Sequence, residues 1–319
     1  MRRLLRSMGA GVPLDTLLAR IRGRRAFLVS DWETLLLAAD PLAVLPPAPW
    51  RRELAAGAGQ SLALWAFNRE SARLFGWLEE PLRRKLAPVF WLAEIPALAG
   101  RLRRIAGRRK PAGDETRETL LAKPLQRALG LDSATAAVAG VTACLAPLER
   151  GFAALPAIYR SGGPGAVEAA LHDLSLEYCA AQVRQPQLKR YVTLLIDSRN
   201  LLAIAKHQRW RLAVQPKFLR GGSLHLPELA ALFAADNPAA LLLRIARLGG
   251  ADSPVVADTP EKGVLQAQLT VMQRLAREPG GIGLILDYLW RCGMEARNIA
   301  LLADLARAGD EAVAREIGR

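Results

Sequence analysis

The sequence is poor in the residues that most often perform chemistry. Its three histidines, His172, His207 and His225, stand far apart, and none has a second histidine at the spacing of a helical metal site. His172-Asp173 could serve as a base and its orienting group, but no serine or cysteine nucleophile stands in a recognisable turn. The cysteines are also three, Cys144, Cys179 and Cys292, an odd number without metal-ligand spacing. They fit buried thiols in a reducing compartment rather than a disulfide framework. Aromatics make up only 6%, and Val, Ile and Thr are sparse, which disfavours sheet. No alternation of period two is found.

Long apolar runs are missing as well. A membrane-spanning helix needs roughly 18 consecutive apolar residues. The nearest approach, residues 35–50, is broken by Asp40 and four prolines. The N-terminus, from Met1 to Arg6, begins like a signal peptide, but Gly9, Gly11, Pro13 and Asp15 interrupt the apolar region. The expectation is a cytoplasmic, uncleaved chain. The glycine clusters at 57–59, 162–165 and 221–222 lack the Lys-Ser/Thr ending of a phosphate loop and read as turns. Gly222-Ser223, at a helix entrance, is the pair best placed to hold an anion. Acidic residues are outnumbered, 30 against 44 Lys and Arg, for a net charge of +14. Residues 1–110 hold 20 basic and 9 acidic residues, so +11 of that excess lies there. Such a face suits nucleic acid, an acidic protein or an anionic membrane surface, and it is also what a solvated basic surface looks like. Five of the seven tryptophans (Trp32, Trp50, Trp65, Trp77, Trp91) share this first third, where they can fill small cores or face an interface.

What is present is Ala and Leu, within a hydrophobic content of 51% over 319 residues. Unbranched side chains lose little rotamer freedom in a helix, so the expected class is all-α. Helices are expected at residues 14–25 and 31–39, the second opened by a Ser30–Glu33 capping box. Three more are expected between 51 and 109, with breaks near 76, 80–81 and 87–88. Others follow at 120–129, 133–159, 166–183, 186–211, 227–236, 260–277, 281–290, 295–308 and 311–317. Residues 111–118 read as a linker.

One pattern organises the chain. Glu295 and Asn298 sit three residues apart, on one helical face. Asp197 and Asn200 repeat the arrangement, and Glu94-Ile95-Pro96-Ala97 is a degenerate copy. The separations are 197 − 94 = 103 and 295 − 197 = 98 residues. Arg199 and Arg297 follow two residues after the acid in the complete copies. A second landmark, Ala-Ala-Asp ending a short helix, occurs at 38–40 and 234–236. Shared landmarks in the same order indicate three related helical units, 1–110, 111–218 and 219–319. An acid on so apolar a helix is either paired, for instance with an arginine of a neighbouring helix, or lines an internal cavity. One carboxylate per unit makes no local metal-ligand set.

These residues resemble a known family. Leu286-Asp287-Tyr288-Leu289-Trp290 followed by Glu295-Ala296-Arg297-Asn298-Ile299 is similar to the C-terminal signature of the central-stalk C-type component of V/A-type rotary ATPases, the counterpart of the d-type component of the eukaryotic V-ATPase. Asp197–Asn200 with the basic tail to Arg209 resembles its middle copy, and Leu219–Leu224 its Gly-Gly turn. Residues 19–40 look like its N-terminal opening. Cys292-Gly293 replaces a charged pair of the pattern. The resemblance implies three similar helical bundles with pseudo-threefold symmetry forming a funnel. It implies a non-catalytic central-stalk subunit with no cofactor and no nucleic acid. The implied partners are the central shaft subunits, the membrane proteolipid ring and, peripherally, the cytoplasmic face of the membrane. Glu94, Asp197, Asn200, Glu295, Arg297 and Asn298 are then structural repeat residues. The competing reading, from charge alone, is a basic α-helical repeat module binding nucleic acid, whose affinity would fall steeply with salt.

Overall fold

A computed structural model describes residues 4–6, 8–29, 31–36, 38, 44–45, 60–107, 119–250 and 256–308. The described residues form helices and no strand. The helices are α1 (Leu14–Arg25), α2 (Trp32–Leu36), α3 (Gln60–Trp77), α4 (Glu80–Ala106), α5 (Lys123–Ala128), α6 (Ala134–Leu145), α7 (Leu155–Gln182), α8 (Pro186–Arg209), α9 (Leu226–Ala234), α10 (Pro238–Arg247), α11 (Pro260–Arg277) and α12 (Ile282–Ala308). A 3-10 turn, Arg150–Ala154, leads into α7. A single isolated antiparallel bridge joins Leu5 and Leu121. None of these helices is long and apolar enough to cross a membrane.

Proline marks where helices begin. Six of them, α4, α5, α8, α9, α10 and α11, carry proline in their first two positions, where the missing N–H costs nothing. Ser133, Asn237 and Thr259 cap α6, α10 and α11 through side-chain oxygens. The cap of α2 is Asp31, which accepts from the Thr34 amide at 3.0 Å and from its hydroxyl at 2.6 Å. Ser30, the capping residue expected from sequence, lies outside the described residues.

Several expected breaks do not occur. The chain runs as one helix through Pro88 and Pro96, so the break expected at 87–88 is absent. An internal proline costs about 3 kcal/mol. Burial of Leu86, Val89, Phe90, Trp91, Ile95, Leu98 and Leu102 on α4 offsets it, at roughly 1.5–3 kcal/mol per large side chain. Gly293 likewise leaves α12 intact, so Glu295 stands mid-helix and not at a helix start. A mid-helix glycine costs only about 1 kcal/mol against the burial of Tyr288, Leu289, Cys292, Ala296 and Ile299. Conversely, the single helix expected over 133–159 is two, because Pro147 removes the next ladder donor after α6. The break at 161–165 is a kink within α7 at Gly163, whose φ is 68°. α10 is an element that the sequence pattern does not predict. The expected linker 111–118 and helix 311–317 lie outside the described residues, as do Ala39 and Asp40 of the first Ala-Ala-Asp landmark.

The chain divides into two compact units. One comprises Met1–Arg20 and Pro47–Gln182, the other Ile21–Pro46 and Val183–Arg319, so the boundary falls inside α1. In the first unit α4 packs along α7 and against α3. Trp91, fully buried on α4, donates its indole N–H to Ser175 on α7 at 3.1 Å. Buried Arg83 gathers backbone carbonyls, donating to Leu78 at 2.6 Å, Gly9 at 3.0 Å and Met8 at 3.3 Å. In the second unit the core is Leu201, Ile204 and Ala205 of α8 with Leu229 of α9, Leu241 and Ile245 of α10, and Val264 of α11. Gln268 on α11 accepts from the Trp290 indole at 3.2 Å and donates to Ser198 at 3.3 Å, tying α12 and α8 to α11.

Candidate functional site

Buried carboxylates are the chief polar feature of both units. Glu94 is completely buried on α4. The Thr119 hydroxyl donates to one of its oxygens at 2.5 Å, and the Leu120 amide to the other at 3.2 Å. The segment so held carries the bridge to the N-terminus: Arg6 N–H donates to the Leu120 carbonyl and Ala122 N–H to the Leu4 carbonyl, both at 2.7 Å. Glu94 thus fixes a stretch that in turn fixes residues 4–6.

Asp197 repeats this geometry in the second unit. It is 1% exposed on α8. The Ser223 hydroxyl and amide donate to Oδ2 at 2.6 and 3.0 Å, and the Leu224 amide to Oδ1 at 3.2 Å. In each copy a hydroxyl residue and the next amide, 119 − 94 = 25 or 223 − 197 = 26 residues downstream, close on the acid. Asn200, one turn along α8, adds a second clamp. Its amide donates to the Leu219 carbonyl at 3.0 Å, and its oxygen accepts from the Leu219 N–H at 2.8 Å. Ala97 stands at the matching position of the first copy, which has no such clamp. Asp197 also lines a cleft of about 600 Å³ with an apolar floor (Leu194, Leu224) and a basic rim (Lys189, Arg244, Arg247).

Of the alternatives for these acids, the donors to Asp197 are therefore neutral backbone and hydroxyl groups. The anion held by Gly222-Ser223 is the protein's own. Gly222 is required by this closeness: a Cβ there would lie 2.1 Å from Asp197 Oδ1.

Glu295 (3% exposed) and Asn298 (0%) share one face of α12, with Arg297 half-buried beside them. A turn or two earlier, Asp287 is fully buried between Arg25 at 3.1 Å and Arg291 at 3.0 Å. Arg24 Nε donates to the Tyr288 hydroxyl at 3.3 Å, so the end of α1 is fixed to α12 within the second unit. Sequence reasoning does not single out Asp287 as an ion-pair centre, although Arg291 four residues on is a visible signal. It also misses Thr119, which only a search for a hydroxyl at a fixed distance after each acid would find; Ser223 stands out as half of an anion-holding pair, but not as the partner of Asp197.

The remaining candidates do not converge. His172 Nδ1 is 3.8 Å from its neighbour Asp173, and His207 Nδ1 is 2.9 Å from the Ala203 carbonyl of its own helix. Among the described residues no three His, Cys, Asp or Glu side chains come together as a metal site. The cysteines form no disulfide; Cys179 is buried, which pushes its thiol pKa up, and Cys144 is only half-buried. Trp32 and Trp91 are core residues, whereas Trp77 lies under the Arg20 guanidinium at 5.3 Å. Trp50 and the side chain of Trp65 lie outside the described residues.

Burial pushes the Glu94 carboxyl up to about 7, against the opposing effects of Thr119, Leu120 and Arg101. A folded-state pKa above the unfolded value means that the folded chain holds its proton longer. Stability therefore falls as pH rises from about 4.5 to about 7, by an amount of order 3 kcal/mol, and is level above that. Glu94→Gln keeps one acceptor and cannot ionise. Its stability relative to wild type, from urea midpoints, is expected to rise across that window. A difference that stays flat with pH would contradict this assignment.

The fold and these clamps define an all-helical protein whose buried acids hold its own segments in place. More particularly, the chain belongs to the ATP synthase (C/AC39) subunit family, whose model matches residues 113–317. It is a non-catalytic subunit of the rotary ATPase type. A search of curated proteins found no match.

Proposed function

We propose that this chain is the central-stalk subunit that couples the shaft of a V/A-type rotary ATPase to the membrane proteolipid ring. In this reading the three units, 1–110, 111–218 and 219–319, are similar helical bundles about a pseudo-threefold axis. Together they enclose a funnel that receives the shaft, while the subunit rests peripherally on the cytoplasmic side of the membrane. Its work is mechanical, the transmission of torque for ion transport or ATP synthesis.

Family membership supports the reading, and one structural observation carries it. The Glu94–Thr119–Leu120 and Asp197–Ser223–Leu224 clamps have the same donors and nearly the same spacing. Glu295 and Asn298 occupy the corresponding buried positions of a third long helix. A socket that transmits torque must be stiff, and carboxylates closed on backbone amides are a stiff way to fix the segments that follow α4 and α8.

The test is functional. Complexes depleted of this subunit should keep ATP hydrolysis by the soluble head and lose ATP-driven ion uptake into vesicles, and adding the purified chain back should restore uptake. Unimpaired uptake after complete depletion would refute the coupling role.

A further inference from the structure

The end of α8 presents a surface that the clamps do not use. Residues 209–215 are all exposed, among them Trp210 (61%), Leu212 (45%) and Val214 (77%). Large apolar side chains on a protein surface are ordinary when scattered singly; three within five residues are a patch. The loop is held in shape from both sides. Arg211 N–H donates to the Gln208 carbonyl at 3.1 Å and Leu212 N–H to the His207 carbonyl at 2.9 Å, the paired bonds that close a helix C-terminus. Arg211 sits at φ 51°, a left-handed conformation usually left to glycine. On the return limb Leu219 is fixed by Asn200, and the Lys217 carbonyl accepts from Arg199 at 3.5 Å.

The charge around this tip is of one sign. From residue 198 to residue 227 there is no Asp or Glu, while Lys206, Arg209, Arg211, Lys217 and Arg220 are basic. Arg209 is paired with Glu261 at 3.0 Å. Among the described residues Lys206, Arg211 and Lys217 have no carboxylate partner.

We infer that the 210–214 loop is a membrane-surface anchor. It inserts Trp210, Leu212 and Val214 into the interface of an anionic bilayer while the flanking cations meet the lipid headgroups. The inference rests on the membrane-side location proposed above and names the surface responsible. Tryptophan is favoured at the bilayer interface, where its amphipathic ring fits, and clustered Lys and Arg are drawn to anionic leaflets. A protein partner fits the tip less well. A stable protein interface buries roughly 800 Å² on each side with matched shape, whereas a protruding loop of three apolar residues needs only a fluid that closes around it.

The experiment uses the purified full-length chain and sedimentation with vesicles of phosphatidylcholine, with or without phosphatidylglycerol. Binding to the anionic vesicles is expected to exceed binding to neutral ones by about tenfold or more at low salt, and to weaken as salt rises. The triple substitution W210S/L212S/V214S should lower it by more than about tenfold. R211Q/K217Q should lower it less and flatten the salt dependence. All five side chains are exposed, so the melting temperature is expected to stay at the wild-type value. Equal binding by wild type and the triple variant, or no preference for anionic vesicles, would overturn the inference. So would a triple variant that binds vesicles normally yet loses soluble shaft subunits in a pull-down, since the loop would then be a protein contact. Recovery of shaft subunits by the wild-type chain reports separately on the coupling role.

Discussion

Asp197→Ala is expected to destabilise the protein by about 3 kcal/mol, because it strands the Ser223 amide, the Ser223 hydroxyl and the Leu224 amide together. Asp197→Asn retains one carbonyl oxygen and should cost less. The sharper expectation concerns Gly222. A Cβ there would lie 2.1 Å from Asp197 Oδ1, 3.0 Å from Cγ and 3.1 Å from the Ile196 side chain. Gly222→Ala must push the carboxylate out of its donors, again at about 3 kcal/mol. Once Asp197 is alanine, the obstructing oxygen is gone. The double substitution should therefore cost clearly less than the sum of the two, with a coupling of roughly 1–3 kcal/mol. Additive effects in denaturant unfolding would mean that Gly222 is needed for some reason other than its approach to Asp197. Assembly into the rotary complex should weaken in the single variants, while ATP hydrolysis by the detached head is unchanged.

Gly283→Ala should be at least as damaging. Its Cβ would lie 1.7 Å from the Leu275 carbonyl oxygen, 2.3 Å from its carbon and 3.1 Å from the Ala276 nitrogen. Those are backbone atoms of α11, so no side chain can rotate away, and the start of α12 must separate from the end of α11. α12 carries Asp287, Tyr288, Glu295 and Asn298, all buried, so the displacement reaches every buried polar contact on that helix. Overpacking of this kind costs about 3 kcal/mol or more, a fall in Tm of roughly 6–12 °C for a unit of this size. Gly100 supplies the control. It lies within α4, and a methyl group added there would meet nothing within 4 Å, so Gly100→Ala should be neutral or stabilising by up to about 1 kcal/mol. Similar melting temperatures for the two variants would show that α11 and α12 are not in backbone contact at Gly283.

How much of this is legible in the sequence depends on the range of the interaction. The acids are conspicuous because a carboxylate among leucines and isoleucines on a helix must have a reason to be there. Helix starts are legible because proline's preference for the first turn is local chemistry. Continuity of α4 and α12 is not legible: Pro88, Pro96 and Gly293 argue for breaks, and burial along a neighbouring helix outweighs them by tertiary energy that no short window contains. The partners of the clamps are hidden for a related reason. Thr119 and Ser223 lie 25 and 26 residues beyond their acids, past the end of the helix that carries each; nothing near Thr119 marks it, and the Gly-Gly turn before Ser223 suggests an anion without saying which. Trp210, by contrast, stands in plain view within a basic tail; only its exposure distinguishes it from the buried Trp91.

The most direct measurement is to recover the tagged full-length chain from detergent-solubilised membranes and identify what accompanies it. Coupling the shaft to the ring requires that shaft subunits and the proteolipid come down together with it. Recovery of the chain from intact complexes with neither of them would contradict the account.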